Sequence, residues 1–147
     1  MTSIITTIEI NRPAEDVFAY ATDPTRFNEW QKDVVRVRIE GEGRPRLRSR
    51  FITTRRVGRT ERSMTQEITE IDSPKSWAAR TVEGPVRAMA KLNVVPLAGN
   101  TRSRLTAELD FEGHGIGRLI VPLVIRQTRK IAPKSYQNLK ELLEKGI

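Results

Sequence analysis

The stretch GRLIVPLVIRQTRKIAPKSYQNLKELLEK, residues 117–145, has the spacing of one long amphipathic helix. Projected at about 100° per residue, Ile116, Leu119, Ile120, Leu123, Val124 and Ile131 fall on one arc, with Arg118, Arg126 and Arg129 mainly on the other. After Pro133 the apolar arc moves by roughly a quarter-circle to Ala132, Tyr136, Leu139, Leu142 and Leu143, opposed by Lys134, Gln137, Lys140, Glu141, Glu144 and Lys145. A proline inside a helix removes a hydrogen bond and clashes with the carbonyl four residues back, here that of Arg129. A bend at Pro133 is therefore expected to bring both stripes onto one core, through Leu123, Ile131, Leu139 and Leu142. Such a helix runs about 40 Å and needs a broad surface to lie across.

The upstream chain supplies that surface as strands. Ser103, Leu105, Ala107, Leu109 and Phe111 alternate with Arg102, Arg104, Thr106, Glu108 and Asp110, the pattern of a half-buried strand. Val86, Ala88, Ala90, Leu92 and Val94 line one side of another, and Ser76 to Val82 forms a third carrying Trp77. Leu47–Val57 and Thr60–Ile71 flank Gly58 and Arg59, where glycine at the first of two central positions predicts a type II′ hairpin. Counting outward from that turn opposes Arg56 to Glu61, Thr54 to Ser63 and Arg50 to Glu67 on one polar side. The other side pairs Phe51 with Gln66, Thr53 with Met64 and Arg55 with Arg62, too polar for a plain core and too apolar for open solvent. Val35, Val37 and Ile39 alternate with outward arginines, and Ile4 to Ile10 opens the chain as a β-branched strand. Two short helices follow that first strand, one begun by Pro13 with Val17 and Phe18 inward, one capped by Asp23 with Phe27 and Trp30 three residues apart. Seven strands and three helices result, and hairpin-length connections make the sheet antiparallel and twisted, covered on one face by the terminal helix.

A chain of 147 residues is read as one domain over 1–147. No apolar run is long enough to cross a membrane and no secretion signal opens the sequence, so a cytoplasmic location is expected. The absence of cysteine excludes disulfides, thiolate metal sites and a cysteine nucleophile. The net charge of +8 raises nucleic acid, an anionic membrane surface or an acidic protein as partners. The arginines are spread over several strands and the helix, without aromatics interleaved for base stacking, which disfavours nucleic acid.

Several segments resemble, in order and spacing, the START-like superfamily of polyketide cyclases/dehydrases and lipid-transport proteins, also called SRPBCC. They are Arg12-Pro13-Ala14-Glu15-Asp16-Val17-Phe18, Asp23 to Trp30, Glu70-Ile71-Asp72-Ser73-Pro74, Gly84-Pro85, Gly99-Asn100-Thr101-Arg102, and the terminal helix. The resemblance covers almost the whole chain. It implies the α+β helix-grip fold also seen in birch-pollen-allergen-like proteins, a curved seven-stranded antiparallel sheet wrapped around the long C-terminal helix with an apolar cavity between them. It also implies binding or carriage of a hydrophobic small molecule, the alternative being a cyclase or dehydratase acting on one, because fold does not choose between these.

With that cavity in view, Trp30, Phe51, Met64 and Trp77 are candidate wall residues, as are Thr53 and Gln66 from the mixed hairpin face. Ala88, Ala90 and Leu105 on the later strands, and Leu123 and Ile131 on the helix, complete the expected lining. Arg55 and Arg62 are two like charges opposed on an inward face, which destabilise a hairpin unless both reach water or share an anion. Paired guanidinium groups there form a clamp for a carboxylate or phosphate on an otherwise apolar ligand. His114, alone between Gly113 and Gly115 with no carboxylate spaced to orient it, reads as a loop residue, so no catalytic residue, metal site or cofactor is assigned.

Overall fold

The β-branched alternation at the start of the chain forms β1 (Ile4–Ile10) in the computed structural model, which describes residues 3–146. Then come α1 (Ala14–Ala21), a 3-10 turn (Pro24–Arg26) running into α2 (Phe27–Trp30), and β2 (Val34–Ile39). Strands β3 (Arg50–Val57), β4 (Thr60–Asp72), β5 (Ser76–Thr81), β6 (Val86–Leu97) and β7 (Arg102–Gly113) precede α3 (Gly117–Glu144). All seven strands pair antiparallel in the order β1-β7-β6-β5-β4-β3-β2. The curved sheet holds α3 against β1, β6 and β7, the helix-grip arrangement.

The hairpin register is the one expected from its turn. Val57 faces Thr60, Arg55 faces Arg62 and Phe51 faces Gln66. Gly58 adopts φ 62°, the first-position backbone of a type II′ turn that a side chain disfavours. On the outer face Thr54 and Ser63 hydroxyls meet at 2.8 Å, and the Glu67 carboxylate sits among Arg48, Arg50 and Arg80 at 3.6–3.8 Å.

The helix phase differs from expectation in the first half of α3, whereas Ala132, Tyr136, Leu139, Leu142 and Leu143 of the second half face the core as expected. One stripe runs the length of α3 through Gly117, Val121, Val124, Thr128, Ala132, Ser135, Leu139 and Leu143, all buried or half-buried. No quarter-turn occurs at Pro133, and α3 is continuous through both prolines. Pro122 and Pro133 both lie on the exposed face, where the carbonyls they orphan can bind water. Leu123, expected inside, is 48% exposed, and Ile116 and Leu119 are more so. The error was to give the large aliphatics the inner arc. Along the first half of α3 the sheet instead takes the small and β-branched Gly117, Val121, Val124 and Thr128, which let the helix axis approach, while Leu139 and Leu143 fill the second half.

Two apolar clusters result. The larger joins Val17, Phe18, Phe27, Trp30, Phe51, Trp77, Leu105, Tyr136 and Leu139. Phe27 meets Trp30, Phe51 and Trp77 edge-on at centroid distances of 6.1, 5.9 and 6.2 Å. The smaller joins Ile4, Val86, Ala88 and Phe111 to Ile120, Val121, Val124 and Ile125 of α3.

Distant residues fasten the ends of the helices. Pro13 stands just before α1 and offers no side-chain cap, so the amide of Ala14 is satisfied by the Asn100 side chain in the β6–β7 turn, at 2.9 Å. The guanidinium of Arg12 donates to the carbonyl of Leu143, and Glu144 accepts from Lys140 at 2.6 Å and from the amide of Asn11 at 2.9 Å. The hydrogen bond from Lys140, then that from Asn11, holds the Glu144 carboxyl below its ordinary pKa.

At the other end α3 begins against the β5–β6 turn, where a β-carbon on Gly117 would stand 1.8 Å from the carbonyl oxygen of Pro85. That contact is with backbone and cannot rotate away. Gly117→Ala is therefore expected to cost about 1–3 kcal/mol in a denaturant melt, as overpacking does. A melt equal to that of the parent would show that the turn and the helix separate freely.

Candidate functional site

The two apolar clusters leave a cavity of about 140 Å³ between the concave face of the sheet and the first half of α3. The hairpin projects Met64 and Gln66 into its wall from β4, Ala88 and Ala90 project from β6, Leu109 and Phe111 from β7, and Val124 from α3. Alternation along each strand puts these on one face, and the alanines on β6 leave the room that larger residues would fill. Gln66 is buried, its side-chain oxygen accepting from the hydroxyl of Thr53 at 3.0 Å. The exposed lining residues Arg62, Ser63, Glu83, Gly84 and Pro85 mark the opening. Beside it Gln127 of α3 donates to the carbonyl of Arg56 at 2.7 Å and accepts from the amide of Gly58 at 3.1 Å, fastening the hairpin tip to the helix.

Arg55 and Arg62 both line the cavity, as the register requires, but they differ in state. The Arg55 guanidinium donates to both carboxylate oxygens of Asp33 at 3.1 and 3.2 Å and to the side-chain oxygen of Gln31 at 2.7 Å. Arg62 is exposed and makes no ion pair among the described residues. The like-charge conflict is thus relieved from inside the chain: Asp33 neutralises one guanidinium, and the other stands exposed at the opening, which it shares with Glu83 without forming an ion pair.

Sequence reasoning missed Asp33 and Gln31. A signal existed, because β2 pairs with β3 and Val34 faces Arg55, which brings the residue before Val34 beside that arginine. The misplaced helix phase likewise hid Gln127 and Thr128, and Val124, on the arc expected inside, was not named among the wall residues.

Other expected wall residues lie elsewhere. Trp30, Phe51, Trp77 and Leu105 pack in the larger cluster and do not line this cavity, and Thr53 acts behind Gln66. Ile131 borders a separate groove with Lys32, Val35 and Lys134, and Leu123 faces away from the sheet. Tyr136 stacks obliquely on Trp30 at 5.1 Å, and burial raises its hydroxyl pKa well above the ordinary value while nearby Arg55 opposes the shift. That hydroxyl is therefore a neutral group and no base. Burial, with a hydrogen bond to Glu29, likewise pushes Tyr20 up to about 12. His114 does have a carboxylate neighbour, Glu112 at 3.3 Å, contrary to its reading as an unoriented residue. Both side chains are exposed, Glu112 at the end of β7 and His114 on the β7–α3 connection, and neither lines the cavity. Among the described residues no group of three His, Cys, Asp or Glu is placed to hold a metal ion, and no helix is long and apolar enough to cross a membrane.

Solved structures share this architecture. The Zhui aromatase/cyclase from Streptomyces sp. R1128 superposes with a TM-score of 0.79 at 14% identity, covering 97% of this chain and 93% of that one. A START superfamily protein from Mycobacterium smegmatis gives 0.70 at 17%, covering 97% and 94%. The protein TTHA0849 from Thermus thermophilus gives 0.78 at 18%, covering 95% of each chain. At such identities the likeness is one of fold. No curated protein sequence matches the chain. Residues 1–144 match the family model for polyketide cyclase/dehydrase and lipid transport, and this match, in keeping with the helix-grip sheet, establishes that the chain belongs to that family.

Proposed function

We propose that this protein binds and carries a small, mostly apolar molecule bearing an anionic group, with the apolar part between Met64, Ala88, Phe111 and Val124 and the anion at Arg62. The observation that carries this reading is Arg62, without an ion pair among the described residues, at the opening of a cavity walled mainly by apolar side chains whose other guanidinium is already neutralised, with Glu83 as the one carboxylate beside it at that opening. A volume of about 140 Å³ is close to that of engineered cavities that hold a benzene ring, and below the roughly 300–1,000 Å³ of most ligand sites. The buried end therefore suits one ring or a short aliphatic segment. A longer molecule extends past Gly84 and Pro85 or spreads the hairpin tip from α3.

Titration with an aromatic acid and its neutral ester tests the reading. Arg62→Met is expected to weaken binding of the acid about ten- to hundredfold, the roughly 1.5–3 kcal/mol of a charge-assisted hydrogen bond, while leaving the ester unchanged. Because Arg62 has no ion-pair partner among the described residues, the melting curve should not move. Equal affinities for acid and ester in both proteins would remove the anion from the proposal. Conversion of an added polyketide analogue to a cyclised or dehydrated product would favour the enzymatic alternative.

A further inference from the structure

The outward side of α3 carries a second surface. Ile116 is 68% exposed, Leu119 80% and Leu123 48%, and their i, i+3, i+7 spacing makes one contiguous apolar line. Single exposed leucines are ordinary, but three in register at the start of a helix are not explained by the fold. Arg126 and Lys130 continue the same line, and Arg118 and Arg129 lie on its flank. Among the described residues none of these four cations makes an ion pair. No acidic residue occurs between His114 and Glu141, so the uncompensated charge is concentrated here.

Charge and apolarity together select the partner. A second copy of this chain meeting the surface about a two-fold axis would set arginine against arginine. A nucleic acid would satisfy the cations but leave the aliphatic line against phosphates and water, with no aromatic residue to stack on a base. An anionic lipid surface satisfies both, because it offers phosphates at the depth of the cations and acyl chains below. We propose that the first half of α3 docks in the plane of an anionic bilayer, Ile116, Leu119 and Leu123 entering the acyl boundary and Arg118, Arg126, Arg129 and Lys130 meeting lipid phosphates. The surface lies opposite the side of α3 that lines the cavity, so each assignment can fail without the other.

Co-sedimentation with phosphatidylcholine vesicles, with and without phosphatidylglycerol, at low and high salt, tests the docking. The parent protein is expected to sediment with the anionic vesicles and to be released as salt rises. Leu119→Gln with Leu123→Gln should lower the partition coefficient at least about tenfold, since burying even one leucine provides that much. Arg126→Gln with Lys130→Gln should lower it about fivefold per charge, at the roughly 1 kcal/mol each basic residue gains near an anionic surface. All four side chains are exposed, so circular dichroism melts should stay at the parent value and exclude misfolding as the cause. Failure of the parent to bind anionic vesicles at low salt would overturn the proposal, as would binding that the leucine double variant retains in full. A homodimer in light scattering that Leu119→Gln splits would also overturn it, assigning the face to a second copy.

Discussion

Leu139→Ala should lower the free energy of unfolding by about 2–5 kcal/mol, because Leu139 is fully buried where α3 crosses the larger apolar cluster. The cost has two parts: the lost transfer of the deleted methyl groups out of water, and the cavity left where the sheet cannot follow inward. Neighbours on the same stripe are Ser135, Tyr136 and Leu143, themselves buried, so little can collapse into the gap. A loss of this size is a large fraction of the roughly 5–15 kcal/mol that holds a typical domain. Leu123→Ala is the internal control. Its side chain is on the solvent face, and the change should stay within about 0.5 kcal/mol. Urea unfolding of both variants measures the phase of the helix directly; comparable losses would return Leu123 to the core and refute the single stripe.

Arg55→Met should be destabilising by about 1.5–3 kcal/mol, in contrast to Arg62→Met across the hairpin, which should be neutral. The hairpin register alone predicts that replacing either arginine with methionine hardly lowers stability, since removing either charge relieves a like-charge contact. The structure reverses this for Arg55. Its removal leaves the Asp33 carboxylate and the Gln31 carbonyl without their donors, and Asp33 is only 15% exposed. The loss stays below the roughly 3–5 kcal/mol of a fully buried pair because Arg55 itself is 25% exposed and water reaches it. Asp33→Asn in the Arg55→Met background should recover part of the loss, since the stranded charge is then gone. An Arg55→Met melt within error of the parent would show the ion pair to be worth no more than an exposed surface pair.

The sequence by itself determined the elements and much of their pairing. Period-two alternation with turn residues between strands specifies strand existence and inward face locally, and Gly58 set the whole β3–β4 register because a two-residue turn leaves one way to count. What it left open was every choice made by a partner far away in the chain. The phase of α3 is one: a helix with apolar residues around most of its first half can bury either arc, and only the close approach of β6, β7 and Pro85 to Gly117 selects the small, β-branched one. The start of α1 is another, its amide satisfied by Asn100 across 86 residues. The site followed the same rule. Arg55 and Arg62 were legible as an inward pair, but their unequal states depend on Asp33, which reaches Arg55 because β2 returns to the edge of the sheet beside β3. Local propensity acts over a few residues, whereas a charge takes its character from what lies within a few ångströms in space, and that neighbourhood exists only after the chain has folded.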